Sequence, residues 1–341
     1  MAPNILLHGS GAIGTIYIYV LQKAGCSVTA VCRSNYEAAK NDGFTIDSDI
    51  YGKGIRIHPK VVRSPEEAYA SGPFDYVIVC TKAFPGVTPQ IIAPAISEST
   101  TIVLIQNGIG IEEEYATAFP NNPLLSCVVY LPTTQVSPGR IVMGATEILQ
   151  IGTYPATSSS DSPAYKSAEE LVSVLKSAES NTTLHPDIQE KRWQKLLINA
   201  SWNPICALTL SRDVAYLASS PEAEHVVTAV MAEVVSVARA KGYTDITVQM
   251  TKDQLARALE RVGSKGIEPS MLVDVLNGRR MEVEVILGNC VREAKALGID
   301  VPRLETLYVL GKALDEAMAL RQPGRSLAGD ETAAAESITA S

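Results

Sequence analysis

Over the first half of the chain, apolar residues come in short unbroken runs separated by longer stretches of mixed polarity. Residues 4–8, 27–32, 75–80, 101–105 and 125–131 are β-branched-rich runs of strand length, and residues 12–24 and 87–96 between them carry helical spacing. Strands alternating with helices predict βαβ units and a mainly parallel sheet. Runs that are apolar throughout suit strands covered on both faces. Residues 43–57 and 135–151 hold glycine turns between short strand patterns and predict antiparallel hairpins attached to that sheet. After a Ser-rich loop ending at Pro163 the pattern changes. Residues 164–180, 187–202, 222–241, 251–262, 281–297 and 303–320 have helical periodicity, and strand signals nearly vanish. The fold class is therefore α/β over residues 1–185 followed by an all-helical domain over 186–321. Residues 322–341 are Gly-, Ala-, Ser-, Thr- and Glu-rich, with little to bury, and are expected to be a disordered tail.

Composition narrows the function classes. The 341 residues suffice for two domains at about 100–200 residues each. A formal charge of −8 argues against a nucleic-acid or anionic-membrane surface, and 6% aromatic content argues against a base-stacking platform. Neither excludes a small anionic ligand held by a few local cations. The first apolar run is too short for a secretion signal, and the next is too short for a membrane span. Cys26, Cys32, Cys80, Cys127, Cys206 and Cys290 form no C-x-x-C pair and fit buried reduced thiols, so the expected location is the cytoplasm. The four histidines show no ligand spacing, and no metal is expected.

Gly9-Ser10-Gly11-Ala12-Ile13-Gly14 is a G-x-G-x-x-G turn placed after a strand and at the start of a helix, the context in which it binds a dinucleotide pyrophosphate. Gly9 permits the tight turn, Gly11 leaves room for the pyrophosphate, and Gly14 lets helix and strand pack closely. The second strand is followed by Arg33-Ser34-Asn35, with no acid to hold a ribose 2′-hydroxyl. An arginine there accommodates a 2′-phosphate, which selects NADP(H) over NAD(H); otherwise Arg33 is a solvated loop residue. Lys82 and Asn107 each follow a strand, where the carboxyl ends form a ligand crevice. Lys82 is a ligand contact or surface decoration. Asn107 is a cofactor or substrate contact, or half of an Asn-Gly turn.

In the segment from Glu190 to Pro204, Lys195, Asn199 and Asn203 fall at i, i+4 and i+8. Residues advance about 100° each along a helix, so all three share one face. Leu196, Leu197, Ile198 and Trp202 around them imply burial, so that face must hydrogen-bond a polar substrate or a structural network. Ser270 precedes a helical run and is a substrate contact or an N-cap. Glu282 alone looks like a surface acid, and spacing cannot place it near Lys195.

These blocks together resemble the ketopantoate reductase (2-dehydropantoate 2-reductase) family. The carriers are GSGAIG with Arg33, TKAF with Lys82, QNGIG with Asn107, KRWQKLLINASWNP and PSMLVDVLNGRRMEVE, in the family's order. The resemblance implies a Rossmann-type NADP-binding domain and a helical substrate domain. It implies reduction of 2-dehydropantoate to (R)-pantoate with NADPH, a step toward pantothenate and coenzyme A. Lys195 would be the general acid and Glu282 would act with it. Asn199 and Asn203 would hold polar groups of the substrate, and Ser270 with Asn107 its carboxylate. Gly9, Ser10, Gly11, Ala12, Ile13, Gly14, Arg33, Lys82 and Asn107 would hold the cofactor.

The sequence departs from the family pattern at two places. Leu287 stands where an amide is usual before the glycine, and Ile267 stands where some members carry a polar substrate contact. Both allow a different branched or aromatic 2-oxo acid, as in a D-2-hydroxyacid dehydrogenase on the same scaffold. A non-catalytic NADP-binding sensor would have no need of Lys195 and Glu282. The helical half could offer a face for a homodimer, although no residue marks one.

Overall fold

A computed structural model describes residues 2–157 and 159–320; the tail expected over 322–341 lies outside the described residues. The strands are β1 (Asn4–His8), β2 (Ser27–Val31), β3 (Phe44–Ser48), β4 (Gly52–Ile57), β5 (Lys60–Val62), β6 (Tyr76–Val79), β7 (Thr101–Leu104), β8 (Leu124–Tyr130), β9 (Thr133–Ser137), β10 (Arg140–Met143), β11 (Ile148–Thr153) and β12 (Thr182–Leu184). The helices are α1 (Ala12–Lys23), α2 (Tyr36–Asp42), α3 (Thr88–Ile92), α4 (Glu113–Ala118), α5 (Pro163–Ser177), α6 (Ile188–Asn199), α7 (Trp202–Thr209), α8 (Asp213–Ser219), α9 (Ala223–Ala240), α10 (Val248–Leu259), α11 (Ser270–Leu276), α12 (Asn289–Ala296) and α13 (Pro302–Leu320).

The chain divides into one compact unit ending at Lys195 and a second beginning at Leu196, so the division falls inside α6. The composition change at 185/186 falls just ahead of the start of that helix. The first unit holds an eight-stranded sheet of order β12-β11-β8-β7-β6-β1-β2-β5. Every neighbouring pair is parallel except β8 with β11. Its central strands β6 and β7 are buried at every position, as their unbroken apolar runs require. Helix α1 stops because Gly25 adopts a φ of +87°; its amide and that of Cys26 donate to the Gln22 and Leu21 carbonyls. That is a Schellman ending, which closes the helix and turns the chain into β2.

The two hairpins exist, but they do not attach to the large sheet. They form a second sheet of order β4-β3-β10-β9, in which β3 and β10 pair in parallel. Burial alternates along these strands: Phe44, Ile46, Ile141 and Met143 point inward and their neighbours outward. One buried face suits a layer packed on α1, and those four residues join Tyr17 and Ile18 of α1 in one core. The last strand in the 135–151 stretch, β11, leaves this layer and pairs with β8.

The second unit is helical. Its long helix α9 buries Val227, Val230, Met231 and Val234 along one stripe. Glu233 on the same helix is buried, and its oxygens accept the Arg303 and Leu304 amides at 3.2 and 2.8 Å. It therefore caps α13 through a carboxylate placed at the positive end of that helix. The single helix expected over 187–202 is corrected: α6 ends at Asn199 and α7 begins at Trp202. Pro204 is the reason, because it has no N–H to bond the Ala200 carbonyl. Residues 284–288 form a π-helical turn ahead of α12, which shifts the face that follows Glu282.

Candidate active site

Parallel strands end on one side of a sheet, and the strands here reverse their order of addition at β1 and β6. Ligand crevices form at such a switch point. The glycine turn follows β1, Arg33 follows β2, Lys82 follows β6 and Asn107 follows β7. All lie at the carboxyl edge of the same sheet.

The three glycines have three different surroundings. Gly9 has a φ of +105°, and a Cβ there would lie 2.6 Å from the Thr81 amide nitrogen. A Cβ on Gly14 would lie 2.2 Å from the Gly9 carbonyl oxygen. A Cβ on Gly11 meets nothing within 4 Å. The turn is thus packed where it touches protein and open where Gly11 faces outward. Gly11 is also the N-cap of α1 and supplies no side-chain cap, so the first amides of the helix have no partner of that kind. An open cradle over uncapped amides at a helix N-terminus fits a pyrophosphate. Ser10 and Asn35 stiffen the turn: the Ser10 hydroxyl donates to the Val31 carbonyl at 3.0 Å, and Asn35 Nδ2 donates to the Ser10 carbonyl at 2.6 Å. Arg33 and Ser34 are exposed. Lys82 is half-buried in the loop after β6. His8 is buried beneath the turn, and burial with the nearby Arg33 charge lowers its pKa to about 4, so it is neutral.

The structure brings Asn107 and Lys195 together across 88 positions of sequence. Lys195 Nζ donates to Asn107 Oδ1 at 2.8 Å and to the Val129 carbonyl at 2.6 Å, and lies 5.5 Å from the centre of the Tyr130 ring. The carbonyl is available because β8 runs past β7, whose pairing with it ends at Leu104 opposite Ser126. Gln106 ties the ends of β7 and β6 by donating from Nε2 to the Thr81 carbonyl at 3.0 Å. Thiols at this edge stay protonated: burial raises Cys80, and pushes Cys127 up to about 12.

Sequence reasoning missed Arg192 and Glu112. Both are buried, with Arg192 Nε 2.7 Å from Glu112 Oε1. They read as part of polar stretches, Glu190-Lys191-Arg192 and Glu112-Glu113-Glu114. The available signal was spacing, since Arg192 precedes Lys195 by one helical turn.

The remaining site candidates lie beyond Lys195 in the chain. Asn199 is half-buried at the end of α6. Asn203 belongs to α7, so it does not share one continuous helical face with Lys195 and Asn199, although its side chain is buried as expected. Ser270 is exposed and is the first residue of α11; Pro269, not Ser270, is the N-cap. Helix α11 packs against α7, the helix that carries Asn203. Glu282 is buried, not a surface acid. The loop ahead of Ser270 is held by Asp213, whose Oδ1 accepts the Ile267 amide at 2.7 Å.

Two family models match this chain: "Ketopantoate reductase PanE/ApbA" over residues 5–156 and "Ketopantoate reductase PanE/ApbA C terminal" over residues 187–315. The chain belongs to the ketopantoate reductase family. Among solved structures it is similar to 2-dehydropantoate 2-reductase from Methylococcus capsulatus, with 33% identity and a TM-score of 0.80 over 95% of this chain and 99% of that one. An uncharacterized protein of Saccharomyces cerevisiae is 30% identical over 90% of this chain and 92% of its own length. A D-mandelate dehydrogenase solved with NADH and anilino(oxo)acetate shares the fold, with a TM-score of 0.81 at 20% identity over 93% of this chain and 99% of that one. Ketopantoate reductases are dinucleotide-binding oxidoreductases acting on CH–OH groups, and the open glycine cradle accords with that. Among the described residues, no helix is long and apolar enough to cross a membrane.

Proposed function

We propose that this ketopantoate reductase family member reduces a 2-oxo acid with NADPH, and that 2-dehydropantoate is the substrate. The observation that carries the proposal is Lys195, an ammonium held 2.8 Å from Asn107 at the sheet edge that also bears the glycine turn. Gly9, Gly11 and Gly14 hold the pyrophosphate with Ser10, Ala12 and Ile13, Arg33 takes the 2′-phosphate, and Lys82 and Asn107 orient the remainder. When bound, the reduced nicotinamide supplies a hydride to the ketone carbon. Lys195 stabilises the negative charge that develops on the ketone oxygen and gives that oxygen a proton. The Val129 carbonyl and Asn107 fix where that proton is held. Glu282, Asn199, Asn203 and Ser270 are assigned to the substrate's polar groups by their motifs.

A second reading, reduction of a bulkier branched or aromatic 2-oxo acid, is favoured by Ile267. It is an apolar residue 47% exposed in the loop that leads into Ser270. One experiment separates the two. Oxidation of NADPH and of NADH is followed by absorbance against 2-dehydropantoate and a panel of branched and aromatic 2-oxo acids. Preference for 2-dehydropantoate with NADPH supports the first reading. Preference for a bulkier acid replaces the substrate, and NADPH binding without turnover of any acid rejects the enzyme.

A further inference from the structure

We infer that the buried Arg192–Glu112 pair is a brace that sets the geometry of Asn107 and Lys195, and that both are positioning residues for the proton-donating step; this rests on the function proposed above. The need for a brace arises from the sheet. After Leu104 the chain leaves β7, while β8 continues through Tyr130. Carbonyls of β8 past Ser126 then face a gap where a neighbouring strand would have donated amides. Two cations of α6 fill it. Arg192 Nη2 donates to the Cys127 carbonyl at 3.1 Å, and Lys195 to the Val129 carbonyl at 2.6 Å.

The guanidinium also grips the departing loop. Nη1 donates to the Gln106 and Gly108 carbonyls at 3.0 and 2.8 Å, the two residues that bracket Asn107. Nε lies 2.7 Å from the Ser126 hydroxyl and 2.7 Å from Glu112 Oε1. One planar fork thus fixes the backbone on both sides of Asn107, the edge of β8, and the helix that carries Lys195 one turn later. A lysine in its place is a point charge and cannot reproduce that bridge. Glu112 fixes the fork in turn. Its Oε1 also accepts the Ser126 hydroxyl at 2.6 Å and Gln189 Nε2 at 2.8 Å.

Stability alone does not account for the pair. Arg192 and Glu112 side chains are 1% and 0% exposed, and Glu112 Oε2 is buried without a hydrogen-bond partner among the described residues. Burying two charges offsets most of their attraction, and an orphaned carboxylate oxygen adds to the cost. What the arrangement delivers is a fixed separation of Asn107 from Lys195.

Arg192→Lys and Glu112→Gln test this in the full chain. Melting temperature, affinity for reduced dinucleotide by fluorescence, and kcat and KM across pH are measured. Folded Arg192→Lys is expected to bind dinucleotide within about threefold of the parent while kcat falls about 10- to 100-fold, the scale set by misplacing a reacting group by about 1 Å. KM should change less than kcat, and the high-pH limb of kcat should move, because the Lys195–Asn107 contact is altered. Glu112→Gln keeps an acceptor and should fall between the two. A folded Arg192→Lys with parental kcat and pH profile overturns the inference, as does a loss shared equally by dinucleotide affinity and kcat. Where Arg192→Lys does not fold, Glu112→Gln decides by the same criteria. A parent that turns over no 2-oxo acid defeats the functional reading instead. Amide exchange in Glu112→Gln then judges the brace: faster exchange confined to residues 106–111 and α6 supports it, and unchanged or sheet-wide exchange overturns it.

Discussion

Replacing Gly11 or Gly14 by alanine should separate binding from folding, because one methyl group enters ligand space and the other enters protein. At Gly14 the added Cβ would sit 2.2 Å from the Gly9 carbonyl oxygen and 3.0 Å from Leu7 Cδ2. The first of these is backbone in a tight turn and cannot rotate away, so either the start of α1 or the turn must shift. Overpacking of this kind costs about 1–3 kcal/mol, and a backbone clash belongs at the upper end. For a domain of this size, about 3 kcal/mol lowers the melting temperature by about 6–12 °C. At Gly11 no atom lies within 4 Å of the new Cβ, and the backbone φ of −80° is one any residue adopts. Gly11→Ala should therefore leave stability unchanged or raise it by about 0.4–1 kcal/mol through the unfolded chain.

Binding should follow the opposite order. The Gly11 methyl occupies the approach to the uncapped amides of α1, so affinity for reduced dinucleotide should fall at least about 100-fold, or about 2.7 kcal/mol. Thermal melts without ligand and a fluorescence titration with NADPH measure the two effects on the same samples. Parental affinity in Gly11→Ala would refute the turn as the phosphate site. A parental melting temperature in Gly14→Ala would refute the packing role given to that glycine.

Lys195→Met should lower turnover about 10²- to 10⁴-fold with dinucleotide affinity retained, and near-parental steady-state rates would remove its role as proton donor. Arg33→Asp should weaken NADPH by about tenfold or more and NADH little, because it loses a phosphate contact and adds repulsion; equal losses by titration would end the 2′-phosphate assignment. His8 titrates at about 4 in the fold against 6.5 for an ordinary histidine, so the folded chain binds fewer protons between those values and loses stability as pH falls through that window. The loss is about 2 kcal/mol between about pH 7 and about pH 5, and His8→Leu should flatten that part of a denaturation-against-pH curve; an unchanged slope would contradict it. Leu210 ends α7 at a φ of +53° and is 62% exposed, so Leu210→Gly should raise stability by about 1 kcal/mol in chemical denaturation, and a lowered midpoint would show that the side chain packs.

What the sequence disclosed divides by the range of the interactions involved. The β1–turn–α1 unit was legible because an apolar run, three spaced glycines and a helix start are all local. So was the long burial of β6 and β7. The helix break before α7 was also written locally, in Pro204, but the apolar positions on both sides continued one another's spacing and concealed it. The second sheet was not legible, since a glycine turn announces a hairpin and says nothing about which sheet it joins. The contact of Lys195 with Asn107 depends on where β8 outruns β7, a property of register between strands. Arg192 and Glu112 were hidden for a related reason. A charged residue in a charged stretch is expected at the surface, and only the missing neighbour of β8 makes a buried cation favourable there.

The same sheet geometry explains why the site candidates of the first unit appear in chain order. Each parallel crossover returns the next strand to the amino-terminal side of the sheet, so each strand ends on the opposite edge and delivers its following loop there. The turn, Arg33, Lys82 and Asn107 arrive after β1, β2, β6 and β7 in that way. Lys195 cannot, because β11 runs antiparallel to β8 and so ends at the far edge. β12 is parallel to β11 and ends at that far edge too, so the chain returns to the site edge through α6. A helix arriving from that side meets the β8 overhang side-on, and its cations at positions 192 and 195 find the Cys127 and Val129 carbonyls. Reversal of the last two strands thus converts the last contribution to the edge from a loop into a helix. A helical residue is held more rigidly than a loop residue, and Lys195, the proton donor proposed above, is the residue so held.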